Sequence, residues 1–140
     1  MRQVFREEKK FLLNIEEYLC KSHYLDQLLR QDPHNGTHGY RIRSLYFDTI
    51  DDGDYFEKLN GVETRRKIRL RCYDPSGDFA ILEMKQKQGS RQRKRSIRIT
   101  KEDAMHMTRG DYSSLLCYSE DFAAECYGLM QSVSYTHLRA

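Results

Sequence analysis

The sequence predicts an α+β domain, an antiparallel sheet with flanking helices, and three observations carry that reading. Residues 65–73, 79–87 and 93–99 alternate basic and apolar side chains with the period of two that a strand imposes. The segments joining them, YDPSGD and QGSRQ, are short and made of turn residues, as antiparallel neighbours need. Beyond residue 100 the alternation stops, and two segments with helical patterning follow.

From the N-terminus, VFREEKKFLL reads as a first strand, with Phe5, Phe11 and Leu13 opposite Arg6, Glu8 and Lys10. IEEYLCKSHYLDQLL spaces Ile15, Leu19, Leu25, Leu28 and Leu29 close to the helical period and predicts an amphipathic helix. DPHNGTHG is a loop by its Pro, Asn and Gly. YRIRSLYFD, rich in aromatic and branched residues, is a second strand, and TIDDGDYFEKLNG is a connector with a helical turn from Asp54 to Leu59. The three basic strands come next. KEDAMHMTRGDYSSLL and SEDFAAECYGLMQ then predict two helices, the first entered through Thr100 as N-cap with Asp103 three residues on.

The basic strands give the strongest clue to function. Parity places Arg65, Lys67, Arg69 and Arg71 opposite Ile68, Leu70 and Cys72, and it places Ile81, Glu83, Lys85 and Lys87 opposite Ala80, Leu82 and Met84. In the third strand Lys94, Ser96 and Arg98 oppose Arg93, Arg95, Ile97 and Ile99. A solvated outer face also carries charge, but it mixes signs, whereas no acid occurs between Lys85 and Arg98. A face of one sign repels itself unless a polyanion answers each charge.

Composition bounds the classes open to the chain. Its 140 residues, 39% hydrophobic, suit one domain with a modest core, and a net charge of +3 excludes a histone-like protein. From residue 101 onward Lys101, Arg109 and Arg139 face six acids, so the basic excess belongs to the first hundred residues. Cys20, Cys72, Cys117 and Cys126 lack metal-ligand or disulfide-framework spacing and read as reduced, mostly packed thiols of a cytoplasmic protein. His23, His34, His38, His106 and His137 have no ligand spacing and are assigned to loops or the surface. No run has the length of a membrane span or the pattern of a signal peptide. Sequence-specific nucleic-acid binding is not expected, because the basic strands lack interleaved aromatics, Tyr73 being the only one beside them.

In order along the chain, RxEKKFLL, RSLYFDT, the spacing Tyr55-x-x-Lys58-Leu-x-Gly61, KIRLRCY, LEMKQK and KRSIRI resemble the vacuolar transporter chaperone (VTC) family of polyphosphate polymerases. That family belongs to the triphosphate-tunnel superfamily, beside the CYTH-type triphosphatases. The first strand reads Arg6-Glu7-Glu8-Lys9-Lys10 where a CYTH triphosphatase has E-x-E-x-K, which favours the polymerase branch. The resemblance implies that the sheet forms part of a CYTH-like tunnel barrel. It also implies transfer of the ATP γ-phosphate to a growing polyphosphate chain with a divalent metal, Mn or Mg.

Carried over by motif, Lys10, Lys58, Arg69, Arg71, Lys85 and Lys94 are the implied phosphate-contacting residues, with Lys10, Arg69, Arg71 and Lys85 holding ATP. Glu8 and Glu83 are the acids on the basic face, implied as metal contacts or as salt-bridge partners orienting Lys10 and Lys85. Two other readings stay open: an inorganic triphosphatase, and a non-catalytic module binding polyphosphate or RNA. The family has a second half after the helical region that supplies further strands, tunnel cations and a metal-binding glutamate. The expected organisation is therefore a VTC-like portion over residues 1–133 and a non-native or disordered tail over 134–140, with an open tunnel and weak or absent activity. Five predicted strands are also fewer than the eight or so of a roomy up-and-down barrel.

Overall fold

A computed structural model of the chain describes residues 1–7, 9–36, 39–132 and 137–139. It contains two compact units, Met1–Glu7 with Ile42–Ala140, and Glu8–Arg41.

The smaller unit is built around helix α1, Ile15–Leu28. Asn14 caps it: its side chain accepts from Glu17 N while the Glu17 side chain accepts from Asn14 N, which closes a capping box. The predicted helix is present, but none of its residues is buried, and its apolar positions Ile15, Leu19, Leu25 and Leu28 are exposed.

The larger unit is a six-stranded antiparallel sheet with helices on one face. Its strands are β1 (Arg2–Arg6), β2 (Arg43–Asp48), β3 (Thr64–Cys72), β4 (Phe79–Gln88), β5 (Arg91–Thr100) and β6 (His137–Arg139). Their order is β1-β5-β4-β3-β2-β6, so the sheet ends at β1 and β6 and does not close on itself. The α+β class and the antiparallel sheet are as the sequence predicts. The backbone also pairs His137–Arg139 with Tyr46–Asp48 of β2, which adds a strand within the segment expected to be tail.

Several boundaries differ from expectation. Strand β1 runs over Arg2–Arg6 rather than residues 4–13, so Lys10 lies outside it and within the smaller unit. The helix expected over 101–116 is α3 (Lys101–Met107) followed by a 3₁₀ turn at Ser113–Cys117. Gly110, at φ 85°, adopts a left-handed conformation that an L-residue visits only at a cost, and the chain leaves the helix there. The helical turn in the connector is α2, Gly53–Leu59, and the last helix is α4, Asp121–Ser132. Thr100 caps α3 as predicted: its Oγ1 accepts from Asp103 N at 3.1 Å and donates to Asp103 Oδ2 at 2.6 Å.

The core lies between the sheet and α3, the 3₁₀ turn and α4. Ile68 and Leu70 of β3, Leu82 and Met84 of β4, and Ile97 and Ile99 of β5 pack with Met107, Leu115, Phe122 and Met130. These are the apolar positions that parity assigned to one face, and each such side chain contributes about 1.5–3 kcal/mol when fully buried. Cys126 is part of this core, and burial pushes its thiol up to about 12. All four cysteines are free, but Cys20 and Cys117 are exposed, which corrects the expectation of mostly packed thiols. His23, His34 and His106 are exposed; His38 lies outside the described residues. Among the described residues no helix is long and apolar enough to cross a membrane.

Candidate functional site

Cross-strand register turns the basic alternation into rows. Lys67 pairs with Lys85, and Lys85 with Lys94, so three lysines line up across β3, β4 and β5. One row along, Tyr46, Arg69, Glu83 and Ser96 are neighbours; one further, Ser44, Arg71, Ile81 and Arg98. On the other side of the lysines lies the row Arg65, Lys87 and Gln92. Eight basic residues on this face of β3–β5 thus surround one acid, Glu83.

Glu83 organises the centre. It is 3% exposed although it belongs to the basic face, because the cations around it close over it. Its Oε2 lies 2.6 Å from Arg69 Nε and 3.7 Å from Arg71 Nε, and its Oε1 lies 2.5 Å from Lys94 Nζ. Burial opposes ionisation of this carboxyl, but the hydrogen bonds from Lys94 and Arg69 outweigh it and hold the group below its usual range. Glu83 therefore fixes three cations and leaves two positive charges unanswered.

The arginines are held from their outer sides as well. Arg69 donates to Tyr46 Oη at 2.9 Å, and its guanidinium lies 5.7 Å from the Tyr46 ring centroid. Arg71 donates to Tyr73 Oη at 3.1 Å, while its buried Nε lacks a hydrogen-bond partner. That Nε faces the Glu83 carboxylate across an ion pair too long for a hydrogen bond.

At the edge of the lysine row, Lys67 Nζ is 3.9 Å from Asp54 Oδ2 of α2. Burial pushes the Asp54 carboxyl up to about 6, with Asp48 and Glu57 adding to the rise and Lys67 opposing it. Asp48, 5% exposed, accepts from Thr49 N at 2.8 Å and Asp54 N at 2.9 Å through its Oδ1 and so secures the start of α2.

The structure thus gathers Arg69, Arg71, Lys85, Lys94 and Glu83 on one face. Glu83 pairs with Arg69, Arg71 and Lys94 rather than orienting Lys85 as the sequence suggested. Lys58 is exposed in the last turn of α2, and among the described residues no ion pair joins it to the Glu83 cluster. Lys10 belongs to the smaller unit, and Glu8 lies outside the described residues. Motif matching passed over two participants. The alternation of β3 already put Lys67 on this face, whereas Tyr46 required the β2–β3 register.

A model of the VTC domain matches residues 5–139, nearly the whole chain. The chain belongs to the VTC domain family. Among curated proteins none matches it. In this VTC domain the basic face is centred on Glu83, where Arg69, Arg71 and Lys94 share one buried carboxylate.

Of the two expected metal contacts, Glu83 is among the described residues and Glu8 lies outside them. Each Glu83 carboxylate oxygen is within 2.6 Å of a cation, and among the described residues no group of three His, Cys, Asp or Glu side chains converges. As placed, Glu83 offers a divalent ion no oxygen that a cation does not already hold.

Proposed function

We propose that this VTC domain binds ATP and inorganic polyphosphate on the basic face and transfers the γ-phosphate to the polyphosphate chain, the sheet acting as one wall of a phosphate tunnel. The observation that carries this reading is the buried carboxylate of Glu83 with Arg69, Arg71 and Lys94 around it, adjoining the row of Lys67, Lys85 and Lys94. The terminal oxygen of a polyphosphate chain is already a nucleophile, so the reaction asks the protein for positioning and charge neutralisation rather than for a base. Repulsion between two polyanions is the obstacle, and fixed cations lower it more effectively where water is partly displaced. In this reading Mn or Mg arrives with the phosphates of ATP as part of the substrate.

A second reading, a polyanion-binding module without chemistry, is favoured by one observation: the described sheet does not close on itself. One experiment tests both. Tripolyphosphate binding is measured by calorimetry on the chain and on its Arg69→Ala/Arg71→Ala variant, alongside ATP-dependent polyphosphate formation. The expected result is binding that weakens roughly 100-fold in the variant, as the loss of two charge-assisted contacts implies, with polymer formed by the unmodified chain. Binding without polymer supports the module; free phosphate released from tripolyphosphate without chain growth supports a triphosphatase. Equal binding by both proteins overturns the assignment of the face.

A further inference from the structure

The basic face is not uniform along its length. Beyond the Glu83 row its residues become planar and apolar: Ile81 sits in register between Arg71 and Arg98, and Phe79 follows two residues away on the same side of β4. Besides Tyr73, strand parity puts the aromatic Phe79, first residue of β4, on this face.

Arg98 differs from the other arginines of this face. Its guanidinium carbon lies 3.8 Å from the Phe79 ring centroid, the distance of stacked planes, whereas Arg69 and Arg71 lie 5.7 and 5.8 Å from their tyrosine rings. Arg69 and Arg71 are drawn to Glu83, while Arg98 has no ion pair among the described residues. Arg98 is exposed, and Phe79 is 36% exposed. The ring contact holds Arg98 in place without neutralising its charge. A guanidinium over a phenyl ring extends an aromatic surface, and both groups are ones on which nucleobases stack.

We propose that Phe79 and Arg98, with Ile81 as floor, form a subsite for the planar base of a nucleoside triphosphate whose phosphates run along the face toward Glu83 and the lysine row. The proposal rests on the reading of that face as a phosphate site and adds the feature that separates a nucleotide from inorganic phosphate chains. The spacing suits it: residues two apart on a strand are about 6.7 Å apart, so the Glu83 row and the lysine row follow the base position at the first and second steps. A purely inorganic polyphosphate occupies the same rows and makes no use of Phe79.

The test compares ATP with tripolyphosphate by calorimetry on the whole chain and on Phe79→Leu and Arg98→Lys, which keep apolar character and charge respectively. Each variant is expected to bind ATP about tenfold more weakly while binding tripolyphosphate within about twofold of the unmodified chain, since charge is retained. Unchanged ATP affinity in both variants, or an equal loss for both ligands, overturns the subsite while leaving the basic face standing. An unmodified chain that binds neither ligand overturns the face itself and the subsite with it.

Discussion

On the basic face of the sheet one acid, Glu83, is held by three cations; on the helix-packed face one cation, Arg95, is held by one acid. Arg95 is 6% exposed and makes a two-pronged pair with Glu125 of α4, one prong 2.6 Å long, and donates to Gln86 at 3.0 Å. Its guanidinium also lies 5.0 Å from the Phe122 ring centroid. The hydrogen bond to Arg95 holds the Glu125 carboxyl below its usual range. The cation is thus the buried partner beneath α4, and its acid, which Arg93 and Arg66 also reach by their charge, stays partly exposed. Around Glu83 positive charge is left in surplus, and a surplus of fixed charge is what a binding face requires.

Substitutions on the two faces should separate binding from stability. Glu83→Ala has the largest expected effect, a loss of about 3 kcal/mol in denaturant unfolding, because three cations lose their shared partner. Added tripolyphosphate should recover part of that loss by supplying anionic oxygens to the same cations. If phosphate does not stabilise the variant, the surplus charge is not a binding feature. Arg95→Ala should cost about 2 kcal/mol, less than a fully buried pair because Glu125 regains water, and should leave tripolyphosphate affinity unchanged. A fall in affinity would mean that the two faces are coupled.

The third prediction concerns Asp54, whose carboxyl rises from 3.8 to about 6 on folding. The folded chain then holds this proton where the unfolded chain has released it, so the contribution of Asp54 to stability is greatest below about pH 4 and declines as pH rises to about 6. Asp54→Asn should remove that decline, leaving the variant about 1 kcal/mol more stable near pH 7 and no different near pH 4. Matching pH profiles would show that Lys67 already compensates the carboxylate. The smallest effect is expected for Tyr46→Phe, which removes the hydrogen bond to Arg69 at a cost of about 0.5–1 kcal/mol.

Much of this was legible in the sequence, and the limit has a physical cause. Strand parity depends only on a residue's own position, so KIRLRC and LEMKQK gave the correct face for Arg69, Arg71, Glu83 and Lys85 without any knowledge of neighbours. Register depends on how two strands meet. Placing Glu83 opposite Arg69 and Ser96, and diagonal to Lys94, requires the paired backbones, whereas the sequence alone offers Lys85, two residues on, as its neighbour. Gly110 was visible as a residue, but the α3 break needed its positive φ to be known. The N-terminal segment misled because the alternation in VFREEKKFLL continues beyond Arg6, where the backbone no longer pairs with β5.

The hold that Glu83 exerts on Arg69, Arg71 and Lys94 also has a kinetic side. Long cationic side chains normally lose rotamer freedom when a ligand arrives, and that ordering slows productive encounter and weakens the complex. Here the ordering occurs during folding, before any anion is met. Capture of a phosphate chain should then proceed at a rate set by long-range attraction and therefore by ionic strength, while residence time depends on how many rows the chain spans. Short and long anions should arrive equally well charge for charge, and differ in how long they stay.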